Sequence, residues 1–190
     1  EQFGDIKTVS AGFQFPVYNQ IFVFTPPTRE EVTTAIAWMR QREVPFLLTV
    51  VEQSVEHLQH LGLDIEDVGE SEYGMVMPTL DELSRQHTSL AVCEVTTNTQ
   101  LQKFLTVYTT VFERSWHVAE QIYESLCEAS GVTLFVGSIS TKPVACGMLV
   151  QTKDTAGVYS IGVVEEFRHQ GIGTAMNRAV LRSGHEAGCR

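Results

Sequence analysis

An apolar, β-prone run ends at Val164 and gives way to a short polar loop carrying Arg168, His169 and Gln170. Gly171-Ile172-Gly173 follows, and a helical stretch containing Ala175 begins at once. This order leaves little choice of local structure. A strand that feeds a helix through a glycine turn aims several backbone N–H groups at one point, with the positive end of the helix dipole behind them. That is an anion site with the shape of a phosphate cradle. Gly171 and Gly173 carry no side chain to hold a pyrophosphate away from the backbone, and Arg168 offers a charge-assisted hydrogen bond.

Two well-known phosphate loops do not fit. A dinucleotide fingerprint places a third glycine at position 176, where Met176 stands. A nucleoside-triphosphate loop places Lys and then Ser or Thr after its last glycine, whereas Gly173 is followed by Thr174 and Ala175. The remaining pattern, Arg168-x-x-Gly171-x-Gly173 after Val163-x-x-x-Phe167, resembles the acyl-CoA loop of the GNAT superfamily of N-acyltransferases. In that family the loop amides hold the CoA pyrophosphate and the preceding strand pairs with the pantetheine arm. The resemblance therefore implies a cofactor site on Ile161, Gly162, Val163, Arg168, His169, Gln170, Gly171, Ile172, Gly173 and Thr174, with acetyl-CoA as co-substrate and no metal. On the loop alone, an ordinary strand-to-helix turn with structural glycines is the competing account.

The neighbourhood favours the resemblance. Residues 158–164, 144–151 and 132–139 have the composition of strands, separated by the turn-forming residues 152–157 and by Ser140-Thr141-Lys142-Pro143. Helical spacing predicts one helix over 99–112, with Leu101, Phe104, Leu105 and Tyr108 inward and Thr99 as cap. A second is predicted over 115–129, with Val118, Ile122 and Leu126 on one face, Ser115 at its start and Gly131 as stop. Residues 90–95 open the series as a strand. The order β-α-α-β-β-β-loop-α over residues 88–190 is similar to the GNAT order from its first strand to its third helix.

That family's domain continues into another strand, a fourth helix and a final strand pair, while this sequence ends at Ala187-Gly188-Cys189-Arg190. The expected sheet is thus incomplete. Either the protein is longer, or the missing half comes from elsewhere. The first half is a candidate source. Residues 21–24 read as a strand, and Thr28 and Glu31 have capping-box spacing ahead of a helix over 29–42. Val32, Ala35, Ile36 and Met39 make its buried stripe. A strand over 46–51, a short helix over 54–61 stopped at Gly62, and a strand over 73–77 follow. The order matches the second half of the GNAT fold, but Pro26 and Pro27 stand where glycine-loop amides belong, and Glu30 and Glu31 would repel phosphate. The fold expected is α/β (α+β): a GNAT-like mixed sheet flanked by helices, in tandem with a smaller degenerate GNAT-like half. The domains expected are 1–86, a degenerate repeat or an unrelated small α/β domain, and 87–190, with a soft boundary in the acidic stretch 80–88. A strand over 46–51 lying parallel to 21–24 is what the repeat requires.

Charge and composition bound the function. Residues 1–90 hold five Lys and Arg against fourteen Asp and Glu; residues 91–190 hold eight against nine. The nearly neutral half, with Arg168, Arg178 and Arg182, suits an anionic cofactor. A whole-chain charge of −10 argues against nucleic acid. No apolar run approaches the ~20 residues that span a bilayer. Cys93, Cys127, Cys146 and Cys189 are dispersed without metal-ligand spacing. Three of them, Cys93, Cys127 and Cys146, are expected to be buried free thiols in elements, which fits a reduced, cytoplasmic protein. His57 and His60, three residues apart, form a solvated helix face more simply than a metal site.

The resemblance implies direct attack of a primary amine, on a small molecule or amino-acid-like acceptor, upon the acetyl thioester. The strand before the loop, Gly157-Val158-Tyr159-Ser160, offers no carboxylate as base. Tyr159 and Glu94 are as readily core-edge residues, so no catalytic residue is assigned. The alternative class is a non-catalytic acyl-CoA-binding or regulatory module. An unfinished sheet also needs cover, from the first half or from a second copy in a homodimer.

Overall fold

The computed structural model describes residues 1–66, 69 and 89–189, and the chain divides into two compact units, Glu1–Tyr73 and Gly74–Arg190. The expected strand at 73–77 and the expected boundary at 80–88 lie outside the described residues.

In the first unit, β1 (Gln2–Phe3), β2 (Ile6–Ser10), β3 (Asn19–Val23) and β4 (Leu47–Val50) form a sheet in chain order. β1, β2 and β3 are antiparallel, while β3 and β4 are parallel, with Gln20 opposite Leu47 and Val23 opposite Val50. The crossover between them is α1 (Arg29–Arg40), followed after β4 by α2 (Glu52–His60). The parallel pairing is the one the sequence led us to expect. β1 and β2 were not anticipated.

The capping box forms as its spacing predicts. Thr28 Oγ accepts from the Glu31 N–H at 3.2 Å, and the Glu31 carboxylate accepts from the Thr28 N–H at 2.7 Å. Those Thr28 hydrogen bonds, the backbone one foremost, hold the Glu31 carboxyl below its ordinary range. The helix stops short of the expected Arg42. Arg42 N–H donates to Met39 O and Glu43 N–H to Arg40 O, tightening the last turn before Glu43 enters the left-handed region at φ 52°. Val32, Ala35 and Met39 join Ile6, Ile21, Val23 and Leu58 in the core, with Ile36 at its margin. Asn19, fully buried, reaches the carbonyls of Phe13, Phe15 and Pro45 through Nδ2 and thereby ties the loop before β3 to the entry of β4.

In the second unit, β5 (Leu90–Glu94), β6 (Val132–Ile139), β7 (Lys142–Thr152) and β8 (Thr155–Val163) form an antiparallel sheet in chain order. α3 (Asn98–Phe112) and α4 (Trp116–Cys127) lie between β5 and β6 in the chain, and α5 (Ile172–Glu186) follows β8. The order is the expected one. Alternation along β6 sends Leu134 and Val136 to a core shared with α3 and α4, while Phe135 goes to a core shared with α5. A sheet covered on both faces explains why β6 and β7 read as continuous apolar runs.

Details differ from expectation for local reasons. The cap of α3 is Thr97, not Thr99, because Gln100 sits three residues on and completes a capping box with it. The β7–β8 turn is shorter than 152–157: Thr152 already pairs with Thr155, and Lys153 takes the left-handed conformation at φ 56°. Pro143 lies inside β7 opposite Ser138, where a bulge in the β6–β7 ladder removes the need for its missing donor. On α4 the buried residues are Ala119 and Tyr123, with Ile122 and Leu126 only partly covered. Ser115 starts that helix without a side-chain cap bond.

Candidate functional site

β8 ends at Val163 and a single 3₁₀ turn, Glu165–Phe167, bends the chain toward Arg168. His169 (φ 59°) and Gly171 (φ 77°) are left-handed, and α5 starts at Ile172. Gly171 meets a conformational demand that a residue with a Cβ fills at a cost. The first helical bond runs from Ala175 N–H to Gly171 O at 2.9 Å. The N–H groups of Ile172, Gly173 and Thr174 therefore have no acceptor within the helix. No side chain caps this end and its first turn carries no acid. Those amides converge where the helix dipole favours an anion.

Arg168 is exposed, and its Nε donates to Val163 O at 3.0 Å, which anchors the guanidinium to the end of β8. Gln170 Nε2 donates to Glu166 O at 3.2 Å. Glu166 pairs with Lys142 at 2.9 Å in an exposed salt bridge. Val164 N–H donates to Val144 O, toward β7. By the alternation of an antiparallel ladder, the backbone groups of Val163 and Ile161 point the other way, to the edge of β8 that has no strand partner among the described residues.

The ten residues expected at the site thus lie on one continuous strand, loop and helix start, but for different reasons. Gly162 is glycine because of packing: a Cβ there would meet Cys146 Sγ and Val111 at 3.0 Å. Ile172 is 3% exposed and anchors α5 in its core. Gly173 is different. Its φ lies outside the left-handed region, and an added Cβ would meet only Val163 Cγ2, at 3.6 Å, an ordinary contact. Nothing among the described residues requires glycine at this position.

Sequence reasoning missed the upper end of β8. Cys146 faces Gly162 and Met148 faces Tyr159, so Ser160 and Ile161 together oppose Gly147 in a β-bulge. Ser160 has φ 53°, and its hydroxyl lies 3.1 Å from the Tyr123 hydroxyl. Tyr159 is 53% exposed and Glu94 is exposed, so neither is a buried core-edge group.

The cysteines also depart from expectation: Cys93 and Cys127 are exposed, while Cys146 and Cys189 are buried. Cys93 ends up near the rim of the edge strand β5, and Cys127 closes α4 on its outer side. Burial pushes the Cys146 thiol up to about 12, partly offset by a hydrogen bond from the Gly162 backbone, and its Sγ donates to Ser160 O at 3.4 Å. A thiol so held is no nucleophile at neutral pH. We expect a thiol reagent at pH 8 to label Cys93 and Cys127 in the folded protein and to reach Cys146 only in denaturant; native labelling of Cys146 as fast as Cys93 would contradict this burial.

His57 Nε2 lies 2.8 Å from Pro27 O, and His60 Nδ1 lies 2.7 Å from Glu56 O, so each ring is engaged with backbone. Among the described residues no three His, Cys, Asp or Glu side chains are grouped to hold a metal ion, and no helix is long and apolar enough to cross a membrane.

The second unit is thus a sheet covered on both faces by helices, with a β8 edge that has no strand partner among the described residues and leads into an uncapped helix start. Comparison with known proteins adds a likeness: residues 100–190 match the model of the acetyltransferase (GNAT) family. Similar solved structures include a GNAT family acetyltransferase of Staphylococcus aureus (10% identity over 54% of this chain and 83% of that one, TM-score 0.48). Another is the aminoglycoside 6'-N-acetyltransferase of Acinetobacter baumannii (18% identity, 53% and 75%, TM-score 0.47). A structure from Pyrococcus horikoshii is similar at 16% identity and TM-score 0.48 over 55% of this chain, which spans only 37% of that longer one. No curated protein matches this chain.

Proposed function

We propose that the protein is an N-acetyltransferase that moves the acetyl group of acetyl-CoA onto a primary amine of a small molecule or amino-acid-like acceptor, by direct attack. The observation that carries this reading is Gly173, a glycine with room for a side chain and, among the described residues, no reason to lack one. A ligand that approaches the backbone closely supplies that reason. The amides of Ile172, Gly173 and Thr174 would hold the pyrophosphate, Arg168 would add charge, and His169, Gln170 and Gly171 shape the loop. The open edge at Ile161 and Val163 would pair with the pantetheine arm, with Gly162 keeping β8 tight on α3. The bound co-substrate supplies an activated thioester; the residues supply its position.

The first unit is proposed as a degenerate repeat without a CoA site. The start of α1 already carries an anion, the Glu31 carboxylate on the Thr28 N–H, where a phosphate would have to sit. Titration calorimetry should therefore give one CoA per chain. A thermal-shift assay with CoA and an acetyl-CoA consumption screen across amines test the whole reading; a folded protein indifferent to CoA would end it. β8 carries no carboxylate, which favours as second reading a non-catalytic acyl-CoA-binding module, marked by CoA binding without acetyl consumption. Arg168→Ala should weaken CoA binding by about 1–3 kcal/mol, the range of hydrogen bonds to charged groups. Because Nε also ties the loop to Val163 O, Arg168→Lys should recover only part of that loss.

A further inference from the structure

We infer that Tyr123 and Ser160 are a positioning pair that fixes the β8 bulge against the acyl end of the cofactor arm; this rests on the acyl-CoA reading above. Ser160 occupies the left-handed region at φ 53° without being glycine, a conformation that persists only where the surroundings hold it. Contacts from two elements do so. From α4, the Tyr123 hydroxyl lies 3.1 Å from Ser160 Oγ, and from β7, Cys146 Sγ donates to Ser160 O at 3.4 Å. Tyr123 cannot drift: it is 4% exposed, with the Phe104 and Tyr108 rings at 4.7 and 4.6 Å. A rigid post from the α3–α4 core therefore ends on one residue of β8.

That residue lies where a bound arm would leave the strand. A ligand with its phosphates on Ile172–Thr174 that adds along the open edge can follow the ladder only while β8 is regular. The bulge at Ser160 and Ile161 ends that regularity and re-aims the Ile161 backbone. The edge groups of Ile161 then meet the far end of the arm, and the Tyr123–Ser160 bond sets their aim. A purely structural hydrogen bond would support the fold without distinguishing one ligand end from another.

CoA and acetyl-CoA, which differ only in the acetyl group, separate these cases when titrated calorimetrically into the full chain. The unmodified protein should bind acetyl-CoA more tightly than CoA. Tyr123→Phe keeps the ring in its aromatic slot and removes the hydroxyl; Ser160→Gly accepts the positive φ freely and removes the tether, and serves alone if Tyr123→Phe fails to fold. Each should cut the preference for acetyl-CoA by about threefold to tenfold, the worth of one such hydrogen bond, and leave CoA affinity unchanged. An unchanged preference, equal loss for both ligands, or no preference in the unmodified protein would overturn the pair as a positioning device. Failure of the unmodified protein to bind either ligand would instead overturn the acyl-CoA reading.

Discussion

Gly173→Glu is expected to abolish CoA binding in a protein that remains folded. The new Cβ has space, with Val163 Cγ2 at 3.6 Å as its nearest neighbour, and the backbone asks for no left-handed residue. A carboxylate in the first turn of α5 also suits the helix dipole, so the fold should tolerate it. The same carboxylate stands where a pyrophosphate has to sit. Two unit charges ~4 Å apart repel by about 4 kcal/mol at an effective dielectric of ~20, which is about three decades of affinity. Gly173→Ala is the companion variant: helix propensity favours it by up to about 1 kcal/mol, while its methyl group should still weaken CoA binding. Gly171 is unsuited to this test, since its φ of 77° makes any side chain a strain on the loop itself. Calorimetry with CoA beside a thermal melt decides the matter. A folded Gly173→Glu protein with undiminished CoA affinity would refute the phosphate site.

The strand–loop–helix that we propose as the phosphate site was legible in the sequence because its pattern is local: glycines, a basic residue and a helix start stand side by side. The order of elements in the second unit was legible for the same reason. The bulge was not. It exists only in the register of β8 on β7, where Ser160 and Ile161 share Gly147, and no pattern within either strand announces it. α4 shows a related limit. Val118, Ile122 and Leu126 make a plausible apolar stripe, yet Ala119 and Tyr123 are buried because the rings of Phe104 and Tyr108 wait on that side. In the first unit, β2 was hidden by Thr8, a polar residue at an inward position whose hydroxyl is satisfied by Glu1 O at 3.2 Å. Thr97 and Thr99 are equal as cap residues; only the reach of Gln100 distinguishes them.

Phe104→Ala should be the most destabilising single change in the second unit that leaves the loop untouched. Phe104 is fully buried and stands between the stacked Tyr108 at 5.9 Å and the edge of Tyr123 at 4.7 Å. Removing a buried phenyl ring costs about 3–5 kcal/mol, a large share of the 5–15 kcal/mol that typically holds a domain folded. The two tryptophans make the loss measurable where it occurs, since Trp38 lies in α1 and Trp116 in α4. With Trp38 replaced by Phe, urea unfolding followed by Trp116 fluorescence reports on the second unit, and its midpoint should fall sharply in Phe104→Ala and much less in Phe104→Leu. Tyr123 also loses one wall of its slot. Under conditions where Phe104→Ala is still folded, its hydroxyl should hold Ser160 less firmly, and the preference for acetyl-CoA over CoA should decline together with stability. A midpoint within experimental error of the parent would show that the aromatic cluster is not the core this packing describes.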